Sequence, residues 1–255
     1  MLRFLRKIKQ KLIAEKRFSN YLLYAVGEII LVVIGILIAL AINNSNQNRL
    51  LRQKEQTYLA GLKNEFEISR FKLQELIAVN RQSFEGAKMI VEFISDESMV
   101  PGEKQFSELL FNSFASDVAF NPNNSLLNEM INSGSLKDIS NPELRIQLTN
   151  WVSTLEDIAK QEIEQNNQRE KVVETFRTQE NSLRTILDLA GVSENELGLP
   201  QRKEHISNLK LLRSVEFENS LLLFMLSSQA TEKSHYLPLL QDLEGILELI
   251  NKEIR

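Results

Sequence analysis

Apolar and polar positions along this chain follow two different rules. From Tyr21 to Ile42, twenty-two residues reading YLLYAVGEIILVVIGILIALAI carry one charge, Glu28. Beyond that run polar residues dominate and apolar ones return at helical spacing. The first pattern predicts a transmembrane helix, because at 1.5 Å of rise per residue such a run reaches across a hydrocarbon core of roughly 30 Å. The second predicts an all-α domain.

Between Asn46 and Ser95 the apolar residues Leu59, Leu62, Phe66, Leu73, Leu76, Phe84, Ala87, Val91 and Ile94 form a seam near heptad spacing, the mark of one long helix. Ser69 and Asn80 interrupt that seam, which favours packing in a bundle over a strict coiled coil. Met99 to Gly102 marks a turn. Short helices are expected over Lys104 to Phe114 and Ser125 to Ile131, the second ended by Gly134. Asn141 as N-cap, Pro142 at the first helical position and Glu143 in the first turn open a second long helix. Its stripe of Leu144, Leu148, Trp151, Leu155 and Ile158 continues past a polar patch to Val173, Phe176, Leu183 and Leu187. Gly191 to Pro200 reads as a connection, Arg202 to Arg213 as a helix, and Val215 to Ile254 as a last long segment. Pro238 should kink that segment near Ser234 or divide it. The run Leu221 to Leu226, LLLFML, reads as core. The architecture expected is a single N-terminal transmembrane helix followed by an antiparallel bundle of long helices with short inserted helices.

Charge orients the membrane segment. The first 20 residues hold Arg3, Arg6, Lys7, Lys9, Lys11, Lys16 and Arg17 against Glu15 alone, so this tail should remain cytoplasmic and the large domain lie across the membrane. Phe4, Leu5, Ile8, Leu12 and Ile13 recur among these cations at helical spacing, which predicts an amphipathic segment on anionic lipid headgroups, with a docking peptide as the alternative. The organisation is then a tail over 1–20, a transmembrane helix over 21–43 and a periplasmic helical domain over 44–255. The chain carries a net charge of −4, which leaves everything after the tail strongly acidic and argues against nucleic acid as a partner. A cleaved secretory signal ending near Ala39-Leu40-Ala41 is the competing reading; the long basic start and the apolar residues upstream of Ile29 favour an uncleaved anchor.

Within the span, Gly27, Gly35 and Ala39 share one helix face with Leu31, a small-residue stripe that would let two helices approach closely. Glu28 lies about two turns from the cytoplasmic edge, and a carboxylate at the bilayer centre costs roughly 2.5 to 3.5 kcal/mol. It reads as a boundary residue reaching headgroups or a tail cation; the functional alternative is pairing with a partner membrane protein or proton relay.

The span, Tyr21 to Leu40, followed by Ile42-Asn43-Asn44 and preceded by the basic block Leu2 to Leu12, resembles the start of an uncharacterised domain-of-unknown-function family of small single-pass membrane proteins of Bacteroidota. A weaker likeness continues through Leu127 to Arg145, LNEMINSGSLKDISNPELR. The family usually has Trp after the Asn pair; this chain has Ser45 there and so no aromatic anchor at that position. The resemblance implies an inner-membrane protein with a periplasmic helical domain and brings no activity with it.

Catalytic chemistry has little to stand on. The chain has no cysteine, which excludes thiol catalysis, disulfides and thiolate metal sites. His205 and His235 fall on separate predicted elements without a metal-ligand spacing. No phosphate-cradling or nucleophile-elbow glycine motif occurs. No enzyme activity, metal or cofactor is expected. The polar patch Glu162, Gln165 and Arg169, where a dry seam would carry Leu or Ile, reads either as a pocket or hydrated layer in the bundle or, preferably, as solvated positions on a protruding helix. The leading expectation is a membrane-anchored, non-enzymatic interaction or scaffold protein that contacts membrane lipid and a protein partner or forms a homo-oligomer; a ligand-sensing helical module is the alternative.

Overall fold

A computed structural model describes residues 18–96 and 98–254, with side chains from Leu22 onward. The basic tail, Arg3 to Arg17, lies outside the described residues. The chain divides into two compact units, Met1–Glu55 and Gln56–Arg255. Among the described residues every regular element is helical.

The first helix, α1, is Phe18–Ser95. Its part within the first unit contains the apolar run, whose side chains from Leu22 to Ile42 are almost all exposed, and it is long and apolar enough to cross a membrane.

The second unit is built on the rest of α1 and on α2 (Glu103–Phe114), α3 (Ser125–Asn132), α4 (Pro142–Glu174), α5 (Leu183–Leu189), α6 (Val192–Asn195), α7 (Val215–Thr231) and α8 (Leu237–Glu253). Two apolar cores form along the same long helices. One gathers Leu59, Phe66 and Leu73 of α1, Leu148, Trp151 and Ile158 of α4, and Leu243 and Ile250 of α8. The other gathers Ala87 and Ile90 of α1, Phe106 and Leu110 of α2, Val172 after the α4 midpoint, and Phe217, Leu221 and Phe224 of α7. Aromatic pairs centre each core: Phe66 lies 5.1 Å from Trp151, and Phe114 meets Phe224 edge-on at 5.0 Å.

Local signals explain several boundaries. The Asn141 side chain accepts from the Glu143 and Leu144 N–H groups and so satisfies two donors that α4 leaves open. Gly134 has a φ of 71°, a left-handed conformation in which a side chain would be strained, and it ends the α3 turn. A Cβ at Gly86 would collide with Ser113, so its absence lets α2 lie close against α1.

Four expectations fail for identifiable reasons. The second long helix does not run on to Leu187; it ends at Glu174, continues as a 3-10 turn over Thr175–Arg177, and restarts at Leu183 behind a Ser182 cap that accepts from the Thr185 N–H. Residues 202–208 are not helical; the Arg202 N–H bonds Asp188 Oδ2 at 3.1 Å, and Asn208 exchanges two hydrogen bonds with the Ser182 backbone, leaving only a 3-10 turn at Leu209–Arg213. The run Leu221 to Leu226 is core on one side only, because Leu222, Leu223 and Leu226 are exposed. Ser69 and Asn80 do not interrupt the buried stripe of α1; they lie in it, 1% exposed each.

Pro238 acts as its chemistry requires. The five residues before α8, Glu232–Tyr236, widen into a π turn in which the Leu237 N–H donates to the Glu232 carbonyl. The wider turn relieves the clash between the proline ring and the carbonyl four residues earlier without breaking the chain of helices.

Candidate functional site

Between the two apolar cores lies a polar layer. Asn80 stands on α1 between Ile77 and Ala87, Gln165 on α4 between Ile158 and Val172, and Ser228 on α7 beyond Phe224, so each helix brings one polar side chain to the same level. Gln165 Nε2 donates to Asn80 Oδ1 at 2.6 Å, Ser228 Oγ donates to the same oxygen at 2.9 Å, and Asn80 Nδ2 donates to the Ser228 carbonyl at 3.1 Å. One turn away, Gln161 Nε2 donates to Thr231 Oγ1 at 3.0 Å. Gln165 Oε1 and Arg169 Nε are buried without a hydrogen-bond partner, an arrangement that internal water would satisfy.

Glu162 continues the layer toward the π turn. Its Oε1 accepts from the Tyr236 hydroxyl and from the Phe120 N–H, each at 2.7 Å. Burial pushes the Glu162 carboxyl above the usual carboxylate range, and the two hydrogen bonds oppose that shift. Burial, together with the nearby Glu162 charge, also raises the Tyr236 phenol. Arg169 reaches the Phe114 carbonyl at 2.7 Å and Glu170 at 2.7 Å, tying α4 to the end of α2. The preferred sequence reading of Glu162, Gln165 and Arg169 as solvated positions is therefore wrong for the first two, which are 6% and 1% exposed, and Arg169 is largely covered. Their neighbours in space come from α1, α2, α7 and the π turn, which is why one helix's periodicity could not show it.

The layer opens on one side to a cavity of about 250 Å³ whose lining includes Asn80, Arg81, Phe84, Ser228, Glu232 and Lys233. Arg81 and Glu232 pair across it at 2.7 Å. A second buried acid lies elsewhere in the unit: Asp188 is inaccessible to solvent, bonds Arg184 at 2.7 Å and lies 3.3 Å from His205 Nε2. Burial alone would raise its carboxyl, but the Arg202 N–H and the Arg184 guanidinium prevail and hold it well below the usual range.

In the first unit Gly27, Glu28, Gly35 and Ala39 are all exposed, and nothing lies within 4 Å of a Cβ placed at Gly27 or Gly35. Nothing in that unit brings Glu28 to a described cation. Among the described residues no cluster of three His, Asp or Glu side chains is arranged to hold a metal ion.

The outer face of α7 was not singled out by the sequence. Its inner face buries Phe217, Leu221, Phe224, Ser228 and Thr231, while Val215, Leu222, Leu223 and Leu226 on the opposite face are 69%, 40%, 49% and 66% exposed. A helix apolar on both sides ordinarily lies inside an assembly, and this signal was available in the sequence once the inner stripe had been separated from the outer one.

The profile of DUF6090, described as a family of unknown function, matches residues 28–188. No curated protein and no solved structure matches the chain.

Proposed function

Because this chain belongs to the DUF6090 family, whose function is unknown, we propose from its own surfaces that it is a membrane-anchored, non-enzymatic interaction protein. In this reading the apolar run of α1 is a single uncleaved span in the inner membrane, and the basic tail lies on cytoplasmic lipid headgroups. The remainder is a periplasmic antiparallel bundle that offers an apolar helix face to another helix. The observation that carries the reading is the outer face of α7, where four large apolar side chains stand in solvent on a helix whose other face is already core. Protease treatment of spheroplasts should digest the domain after residue 55 and spare the tail, alkaline carbonate should leave the chain in the membrane, and crosslinking in cells should give an adduct that Leu222→Asp with Leu226→Asp removes. Release by carbonate, or an adduct pattern untouched by the double variant, would overturn it.

A second reading is favoured by the polar layer and its cavity: a ligand-sensing helical module that signals through a partner membrane protein. Its support is the buried, unpartnered Gln165 Oε1, on a side chain bonded to Asn80, which lines an opening of about 250 Å³. Thermal unfolding of the full chain in detergent against metabolite pools tests it; a transition that no pool moves removes the reading.

A further inference from the structure

The outer face of α7 has an internal order that specifies its occupant. Val215, Asn219, Leu222, Leu226 and Gln229 follow one another at spacings of four, three, four and three residues, all exposed, with Leu223 alongside. That is coiled-coil spacing over two heptads, with a pair of leucines bracketed by two amides. The inner stripe of the same helix has the same spacing but is already buried in the second core, so the outer seam is a separate surface. We infer that this seam is a homodimer interface in which two copies pair α7 against α7 in parallel.

The inference rests on the interaction reading above and adds the partner. In a parallel pair each seam position meets its own equivalent. Leu222 and Leu226 pack on the same residues of the second copy, and Asn219 hydrogen-bonds to its counterpart. An amide at such a position specifies two strands and one register, because any slip leaves it buried against hydrocarbon without a partner. An unrelated apolar helix would leave both Asn219 and Gln229 unmatched unless it carried amides at the same levels. Asn219 chooses the sense: in a parallel pair it meets its own equivalent, whereas an antiparallel pair that sets Leu222 on Leu226 would place it against Gln229 of the second copy.

The absence of cysteine makes the test direct, since single-cysteine variants of the full chain can be oxidised in native membranes without background. Asn219→Cys, Leu222→Cys and Leu226→Cys should each form a disulfide-linked dimer, because paired seam positions bring Cα atoms into the range of about 4.4–6.8 Å that a disulfide spans. Ile163→Cys, exposed on α4, gives the collisional background. Introducing Leu226→Asp into Leu222→Cys should return the crosslink to that background and weaken self-association in detergent by about tenfold or more, equivalent to about 1.4 kcal/mol. Its helical content by far-ultraviolet circular dichroism should stay unchanged, because Leu226 is exposed in the single copy. Crosslinks only in a mixture of Leu222→Cys and Leu226→Cys chains would overturn the parallel sense. Yields no higher than for Ile163→Cys, or loss on Gly35→Leu but not on Leu226→Asp, would overturn the α7 interface. Adducts of another mass at the three α7 positions would overturn self-pairing while leaving the interaction reading standing.

Discussion

The hydrogen bonds joining Asn80, Gln165 and Ser228 share the Asn80 amide, so these residues should be strongly coupled in stability. Asn80→Leu leaves the Gln165 amide and Ser228 hydroxyl facing hydrocarbon and should cost about 1–3 kcal/mol in urea unfolding. Adding Gln165→Leu removes one of the stranded groups, so the double variant should be less damaged than the sum of the two single ones, by a coupling of about 0.5–3 kcal/mol. Glu162 and Asp188, both buried, carry opposite pH signatures. Asp188 holds its proton less tightly when folded than when unfolded, so it supplies stability above about pH 3.9 that is lost as the pH falls from there. Asp188→Asn should lower the urea midpoint at neutral pH and flatten its fall in acid. Glu162 holds its proton more tightly when folded, so stability declines as pH rises from the ordinary carboxylate range through the raised value. Glu162→Gln should remove that decline, measured as the urea midpoint between pH 4 and 7.

At the scale of elements, the chain obeys local chemistry wherever local chemistry is strong. The α4 start was legible because Asn141, Pro142 and Glu143 act within one turn, and Asn141→Ala should cost about 0.5–2 kcal/mol by circular-dichroism melting. Gly134 and the helix it ends were legible for the same reason. The stretch after Glu174 was not: Val173, Phe176, Leu183 and Leu187 keep helical spacing, yet the polar residues between them turn the chain, with Ser182 capping α5 and Asn208 holding its backbone from 26 residues away. Pro238 announced a disturbance near Ser234, but whether it would be a kink, a break or a π turn depended on the packing of Tyr236 and Leu239, both fully buried, which keeps α7 and α8 in one continuous course.

At the scale of the molecule, the second unit is held by two cores that share α1 and α4 across a polar layer. Trp151→Ala in one and Phe224→Ala in the other should each cost about 3–5 kcal/mol, and urea unfolding should remain a single transition by fluorescence and circular dichroism alike, because the shared helices couple the cores. The all-α class, the apolar run long enough for a membrane, the acidic balance of the large domain and most helix starts were determined by the sequence alone, since each depends on spacing and backbone chemistry within a few residues. Only the tertiary structure decided that Asn80, which looked like a flaw in one seam, and Gln165, which looked solvated in another, complete each other across 85 positions. It also decided that half of the apolar run on α7 faces outward. Burial of a polar group, or exposure of an apolar one, is settled by which distant helix lies against it, and periodicity along a single helix contains no information about that neighbour.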